Sequence, residues 1–171
     1  AEDFRLKSIN NKLLSLNDIK GEKATLVMFI CNHCPYVKAI IKDLAKDCND
    51  LKNSGISTVA IMSNDTKNYP EDSFENMIKF AATNNFKSIN YLIDNTQEVA
   101  KKYGAVCTPD FFGYNKDLCL QYRGRFKELK ELKPVNHGES DLKKAMKMIA
   151  QSQRGPEEQM PSMGCNIKWI N

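Results

Sequence analysis

The stretch Ala24-Thr25-Leu26-Val27-Met28-Phe29-Ile30-Cys31-Asn32-His33-Cys34 passes from a continuous apolar, strand-forming run into two cysteines separated by two residues. Downstream, Val37, Ile40, Ile41, Leu44, Cys48 and Leu51 recur at helical spacing, while Lys38, Lys42, Asp43 and Lys46 fall on the opposite face. The cysteine pair therefore sits at a strand-to-helix junction. A helix start offers unpaired N–H groups and partial positive charge, which stabilise a thiolate and favour Cys31 as the attacking sulfur. Two cysteines at this spacing can close a small disulfide ring and reopen it, so the segment implies electron exchange through Cys31 and Cys34.

Outward from this junction the apolar period keeps switching between 2 and 3.6, the pattern of an α/β domain. Toward the N-terminus, Phe4-Arg5-Leu6 and Leu13-Leu14-Ser15-Leu16 flank the turn-prone Asn10-Asn11 and predict a hairpin. Toward the C-terminus, Gly55 ends the first helix and Ile56 to Met62 predicts a second buried strand, parallel to the first. Tyr69-Pro70-Glu71-Asp72 predicts the start of another helix, with Phe74, Met77, Ile78 and Ala81 on its buried face. Tyr91-Leu92-Ile93 is a short strand, followed by a helix capped by Thr96 and ended at Gly104. Phe111 to Tyr114 and Leu118 to Tyr122 read as a hairpin across Asn115-Lys116-Asp117. The last helix starts near Ser140 and buries Leu142, Ala145, Met146 and Ile149. This divides the chain into a domain over 1–153, hairpin included, and a tail over 154–171 that packs on it.

A length of 171 residues is enough for a real core without metal or disulfide staples. The formal charge of +4 is a mild bias, and Lys101, Lys102, Lys143, Lys144 and Lys147 fall on solvated helix faces, so no nucleic-acid partner is expected. No apolar stretch has the length of a membrane span. The N-terminal Ala1-Glu2-Asp3-Phe4 lacks a basic region followed by an apolar core, so no signal peptide is expected. The six cysteines do not read as a secreted disulfide framework, because Cys48 and Cys119 lie in apolar patterns that suit small buried residues. A reducing cytoplasm is the expectation, with the periplasm or secretion as the alternative if a leader is removed.

The order of strand, dithiol, helix, strand, and then Thr108-Pro109 before a hairpin resembles the thioredoxin-like superfamily over nearly the whole length. Within it the chain is similar to the redoxin branch of alkyl hydroperoxide reductase and thiol-specific antioxidant proteins, and most of all to small bacterial thioredoxin family proteins. The segments that carry this are Phe29 to Lys38, Ser63-Asn64-Asp65, Tyr69 to Ser73, Thr96 to Ala100, Cys107 to Phe112, Tyr122-Arg123-Gly124 and the tail Gly164-Cys165-Asn166-Ile167-Lys168-Trp169. The resemblance implies a thioredoxin fold with a central mixed sheet and an N-terminal β-hairpin extension. It also implies a thiol–disulfide oxidoreductase with no cofactor beyond a Cys31–Cys34 disulfide, working on a protein or small-molecule disulfide with a separate electron donor. Cys31 attacks, and Cys34 resolves from one helical turn inside. Asn32 and His33 tune the pair, His33 by stabilising the Cys31 thiolate and so raising the potential above thioredoxin's, which is about −270 mV. Thr108 and Pro109, the family's cis-proline site, expose backbone groups to an extended substrate. Cys107 and Cys165 are candidates for a third redox thiol. Their alternatives are a small residue packed under the site and a tail anchor beside Trp169.

Two features depart from thioredoxin. Thr25 stands six residues before Cys31, where thioredoxins bury an acid, and Pro35 disfavours helical geometry at Cys34. Two rival functions follow from the same residues. A peroxiredoxin-like thiol peroxidase needs Pro-x-x-x-Thr-x-x-Cys, whereas counting back from Cys31 gives Met28 and Ala24, and from Cys34 gives Cys31 and Val27. Arg123 and Arg125 read as solvated hairpin residues rather than anion ligands. A metal site from Cys31, His33, Cys34 and Cys107 lacks the second paired-ligand motif of zinc modules, so no metal is expected.

Overall fold

The changes of period resolve into alternating elements in a computed structural model that describes residues 1–171. The hairpin β1 (Arg5–Ser8) and β2 (Leu13–Ser15) leads through a short helix α1 (Leu16–Ile19) to β3 (Ala24–Phe29), α2 (Pro35–Lys52) and β4 (Ile56–Met62). A 3₁₀ turn (Pro70–Asp72), α3 (Phe74–Thr83), β5 (Ile89–Ile93) and α4 (Glu98–Tyr103) follow. Then come β6 (Cys107–Thr108), β7 (Asp110–Asn115), β8 (Leu120–Gly124), the small pair β9 (Leu129–Lys130) and β10 (Lys133–Pro134), α5 (Asp141–Ser152) and β11 (Cys165–Asn166).

Seven strands form one mixed sheet in the order β2-β1-β5-β4-β3-β7-β8. β3 and β5 run parallel to β4, and the remaining pairs are antiparallel. The N-terminal hairpin extends the sheet through Lys7 opposite Ile93 and Ser8 opposite Leu92. Strand β3 is buried at every position because both of its faces are covered. Ala24, Leu26 and Met28 pack with α2 and α5 residues such as Leu44 and Met146, whereas Val27 and Phe29 pack with Val99 of α4 and Phe112. Each of these large side chains contributes about 1.5–3 kcal/mol by leaving water. Helix α5 sits directly on β7: a Cβ on Gly113 would lie 2.7 Å from Met146 Sδ.

Four local expectations are corrected. The helix expected from Tyr69 is broken at Ser73, whose extended backbone (φ −61°, ψ 159°) and side chain, accepting from Asn76 N–H, make it the N-cap of α3. Pro70 to Asp72 form a separate turn, so Asp72 does not serve the α3 dipole. Ile78 is 41% exposed and not on the buried face. The N-cap of α4 is Gln97, in left-handed geometry, and the amides of Val99 and Ala100 donate to the buried Asp94 carboxylate; Thr96 only accepts from Glu98 N–H. Cys119 is exposed, because Leu118 takes a positive φ of 60° and places the cysteine in the turn before β8. Cys48 is buried, as expected.

Candidate active site

β3 sits mid-sheet, and after Ile30 N–H bonds to the Ile61 carbonyl the chain turns off the sheet. Pro35 is the first residue of α2, where its missing N–H costs nothing, and it forces an extended Cys34 (φ −64°, ψ 126°). Cys34 is therefore the helix N-cap and not a residue one turn inside. Its amide donates to Cys31 Sγ at 3.3 Å, so the helix start does present an N–H to the first sulfur. Cys31 Sγ also lies 3.5 Å from the Thr108 hydroxyl, and Cys34 Sγ donates to the Thr108 carbonyl at 3.3 Å. Both cysteines are only 1% exposed.

Behind the pair stands a carboxylate that sequence reasoning missed. Asp72 is fully buried and accepts from Asn32 N–H at 2.7 Å and from Asn64 Nδ2 at 3.0 Å. His33 Nδ1 lies 2.7 Å from the same carboxylate, off the line of a hydrogen bond, so the contact is Coulombic when the ring is protonated. The imidazole stacks on Tyr69 at 5.8 Å between centroids. Cys31 Sγ, a His33 ring nitrogen and an Asp72 oxygen all lie within 4.8 Å of one another; Cys107 is not part of this group. Asn32 is fixed by Tyr91 O–H at 2.8 Å and by its own donation to the Glu71 carbonyl. Thr25, where thioredoxins bury an acid, accepts from Gly21 N–H instead, so the acid of this site reaches it from the 3₁₀ turn after β4.

The two thiols titrate as a unit, giving up one proton readily and holding the second. Hydrogen bonding to Cys34, burial and the Asp72 carboxylate push the Cys31 thiol up, against the Thr108 hydroxyl. Cys34 is held down, first by its hydrogen bond with Cys31 and against its burial. A low pKa on Cys31 itself, expected from the helix start and His33, is thus opposed by burial and a nearby anion. The helix start and the histidine are visible in the sequence, but the approach of Asp72 is not. The His33 ring, 2.7 Å from that carboxylate, is placed to offset its charge. His33→Ala is therefore expected to leave Asp72 uncancelled and lower the reduction potential by tens of millivolts, about 30 mV per pKa unit, measured by glutathione titration.

The Thr108–Pro109 peptide bond is cis. Its strand edge is not open, however: β11 pairs antiparallel with β6, Cys165 opposite Thr108 and Asn166 opposite Cys107. The backbone groups expected to be exposed to a substrate are already covered by the chain's own tail. Cys165, pushed up to about 11 by burial, packs against the cluster that holds the dithiol, while Cys107, pushed up to about 12 by burial, donates to the Pro109 carbonyl. In the tail Ile167 is buried, 3% exposed, whereas Trp169 is 38% exposed. Arg123 binds Asp110 and the Gly104 carbonyl, and Arg125 binds Asp141 at 2.6 Å; neither contacts the sulfurs, and neither is merely solvated.

The whole architecture recurs in solved structures. An uncharacterized conserved protein from Geobacillus kaustophilus is 42% identical with a TM-score of 0.94, over 99% of this chain and 90% of that one. A hypothetical protein from Sinorhizobium meliloti is 38% identical with a TM-score of 0.91, over 99% and 92%. The exposed lipoprotein thioredoxin Etrx1 of Streptococcus pneumoniae shares the fold at 19% identity and a TM-score of 0.62, over 88% and 98%. No helix is long and apolar enough to cross a membrane. No curated protein matches the chain. The AhpC/TSA family matches residues 1–126, and with this sheet order and this dithiol at the head of α2 the chain belongs to that family, in its thioredoxin-like redoxin branch.

Proposed function

We propose that the protein is a thiol–disulfide oxidoreductase that exchanges electrons through Cys31 and Cys34. The observation that carries the reading is the Cys34 amide held on Cys31 Sγ at the N-terminus of α2, which offers a positive end to a sulfur that must bear charge. The Cys31 thiolate attacks one sulfur of a substrate disulfide; a Cys31–substrate bond forms and the other substrate thiolate leaves. The Cys34 thiolate then attacks Cys31 Sγ, closes the Cys31–Cys34 disulfide and expels the second substrate thiolate. Two electrons pass from the dithiol to the substrate, and an external dithiol donor restores the pair. Asn32 and His33 tune it through Asp72, and the substrate is a protein or small-molecule disulfide.

Insulin reduction with dithiothreitol as donor tests this reading. The wild type is expected to accelerate it, and Cys34→Ser to accumulate a mixed disulfide on Cys31, visible as a mass adduct. The peroxidase alternative predicts the opposite: hydrogen peroxide consumed far faster than by a free thiol, with negligible insulin reduction. That result would move the protein to the peroxidase side of its family.

A further inference from the structure

The C-terminal tail lies where an incoming extended chain would pair, beside the cis peptide bond, and it carries a thiol to that place. Cys165 stands opposite Thr108, whose carbonyl also accepts from Cys34 Sγ. Cys165 packs against the buried cluster that holds Cys31 and Cys34, which brings a third sulfur to the dithiol. The approach is built into the backbone: a Cβ on Gly164 would come within 2.2 Å of the Thr108 carbonyl oxygen. Beyond Cys165, Ile167 N–H donates to the Val106 carbonyl at 3.2 Å, and Lys168 N–H donates to Asn64 at 2.9 Å. The Lys168 carbonyl accepts from Asp65 N–H at 2.8 Å and from Gln97 at 2.9 Å. A segment held by this many bonds is a fixed part of the site.

Resting on the proposed dithiol chemistry, we propose that Cys165 is a third redox thiol, which takes over the disulfide by bonding to Cys34 and frees Cys31. The Cys165 thiolate attacks Cys34 Sγ of the Cys31–Cys34 disulfide. The Cys34–Cys165 bond forms, the Cys31–Cys34 bond breaks, and Cys31 leaves as thiolate, taking up the proton that Cys165 gave to solvent. No electrons enter or leave, so the step needs no oxidant. It converts a closed ring into a tail-linked form with the attacking sulfur restored, and the tail's place on the cis-proline edge is that of a built-in substrate. An external dithiol then reduces the Cys34–Cys165 bond and resets the site.

The test is to oxidise the full chain with one equivalent of diamide, quench in acid, block free thiols with N-ethylmaleimide and identify disulfide-linked peptides by mass spectrometry. Wild type is expected to give both Cys31–Cys34 and Cys34–Cys165 links, and Cys31→Ser to give Cys34–Cys165 as the main product. Gly164→Ala keeps all three thiols but pushes the tail off Thr108, and is expected to cut the tail link several-fold while Cys31–Cys34 still forms. A wild type that forms only Cys31–Cys34, or a Cys31→Ser protein in which both Cys34 and Cys165 end up alkylated, overturns the third-thiol role. Absence of the Cys31–Cys34 link from wild type, together with no insulin reduction, would instead strike at the dithiol reading itself.

Discussion

Cys31→Ser is expected to lower insulin reduction by orders of magnitude, to the rate of dithiothreitol alone, while leaving the fold intact. The serine hydroxyl is smaller than the buried thiol and keeps a polar group beside the Cys34 amide and the Thr108 hydroxyl, which now lie 3.3 and 3.5 Å from Cys31 Sγ. What it cannot supply is a sulfur that forms and breaks a disulfide. Circular dichroism and the melting curve are expected to match wild type closely, which separates lost chemistry from lost structure. Retention of more than a small fraction of the wild-type rate would show that electrons reach the substrate through another thiol.

The parts of this molecule legible in sequence are those in which each residue's neighbours are close along the chain. β3 reads as a buried strand because every residue from Ala24 to Phe29 is apolar or β-branched, and α2 reads as a helix because its buried residues keep one face over five turns. Ser140 is legible as a cap, and its side chain accepts from Lys143 N–H. The 3₁₀ turn is not, because Pro-Glu-Asp suits a first helical turn equally well; only the extended backbone at Ser73 separates the two and rotates Asp72 into the site. Tyr69 to Ser73 is recognisable as a segment shared with the family, and an acid inside such a segment is the one signal that pointed to it. The register of Cys165 against Thr108 has no local signature, since it joins residues far apart through a two-residue strand.

Thioredoxins bury an acid on the strand before the dithiol, and this chain has Thr25 there; its buried acid comes instead from the loop side, bonded to the residue between the cysteines rather than beneath them. That placement makes the charge on the pair depend on how Asp72 is shared. Asn32 N–H and Asn64 Nδ2 consume part of its acceptor capacity, and His33 offers a counter-charge from the side that is partly open to solvent. Tyr91 O–H donates to Asn32 Oδ1 and Asn32 Nδ2 donates to the Glu71 carbonyl, which fixes the residue that bonds Asp72.

Asp72 is therefore the residue whose replacement separates stability from redox tuning. Asp72→Ala leaves the buried Asn32 N–H and Asn64 amide without their acceptor, at about 1–3 kcal/mol for each unsatisfied group. A loss of about 2–6 kcal/mol follows, with a melting point lower by on the order of 10 °C for a chain of this size. Asp72→Asn keeps an oxygen for the Asn32 amide and is expected to cost less, but it removes the negative charge that pushes Cys31 up. The sign follows directly: without that anion the Cys31 thiolate is more stable, the reduced form is favoured, and the potential rises by about 30 mV for each unit by which the thiol becomes more acidic. Asp72→Asn is thus expected to speed iodoacetamide labelling of Cys31 at pH 6 and to raise the potential, opposite in direction to His33→Ala. Slower labelling, or a potential shifted the same way as in His33→Ala, would mean that Asp72 acts on Cys31 through the position of Asn32 and His33 rather than through its charge.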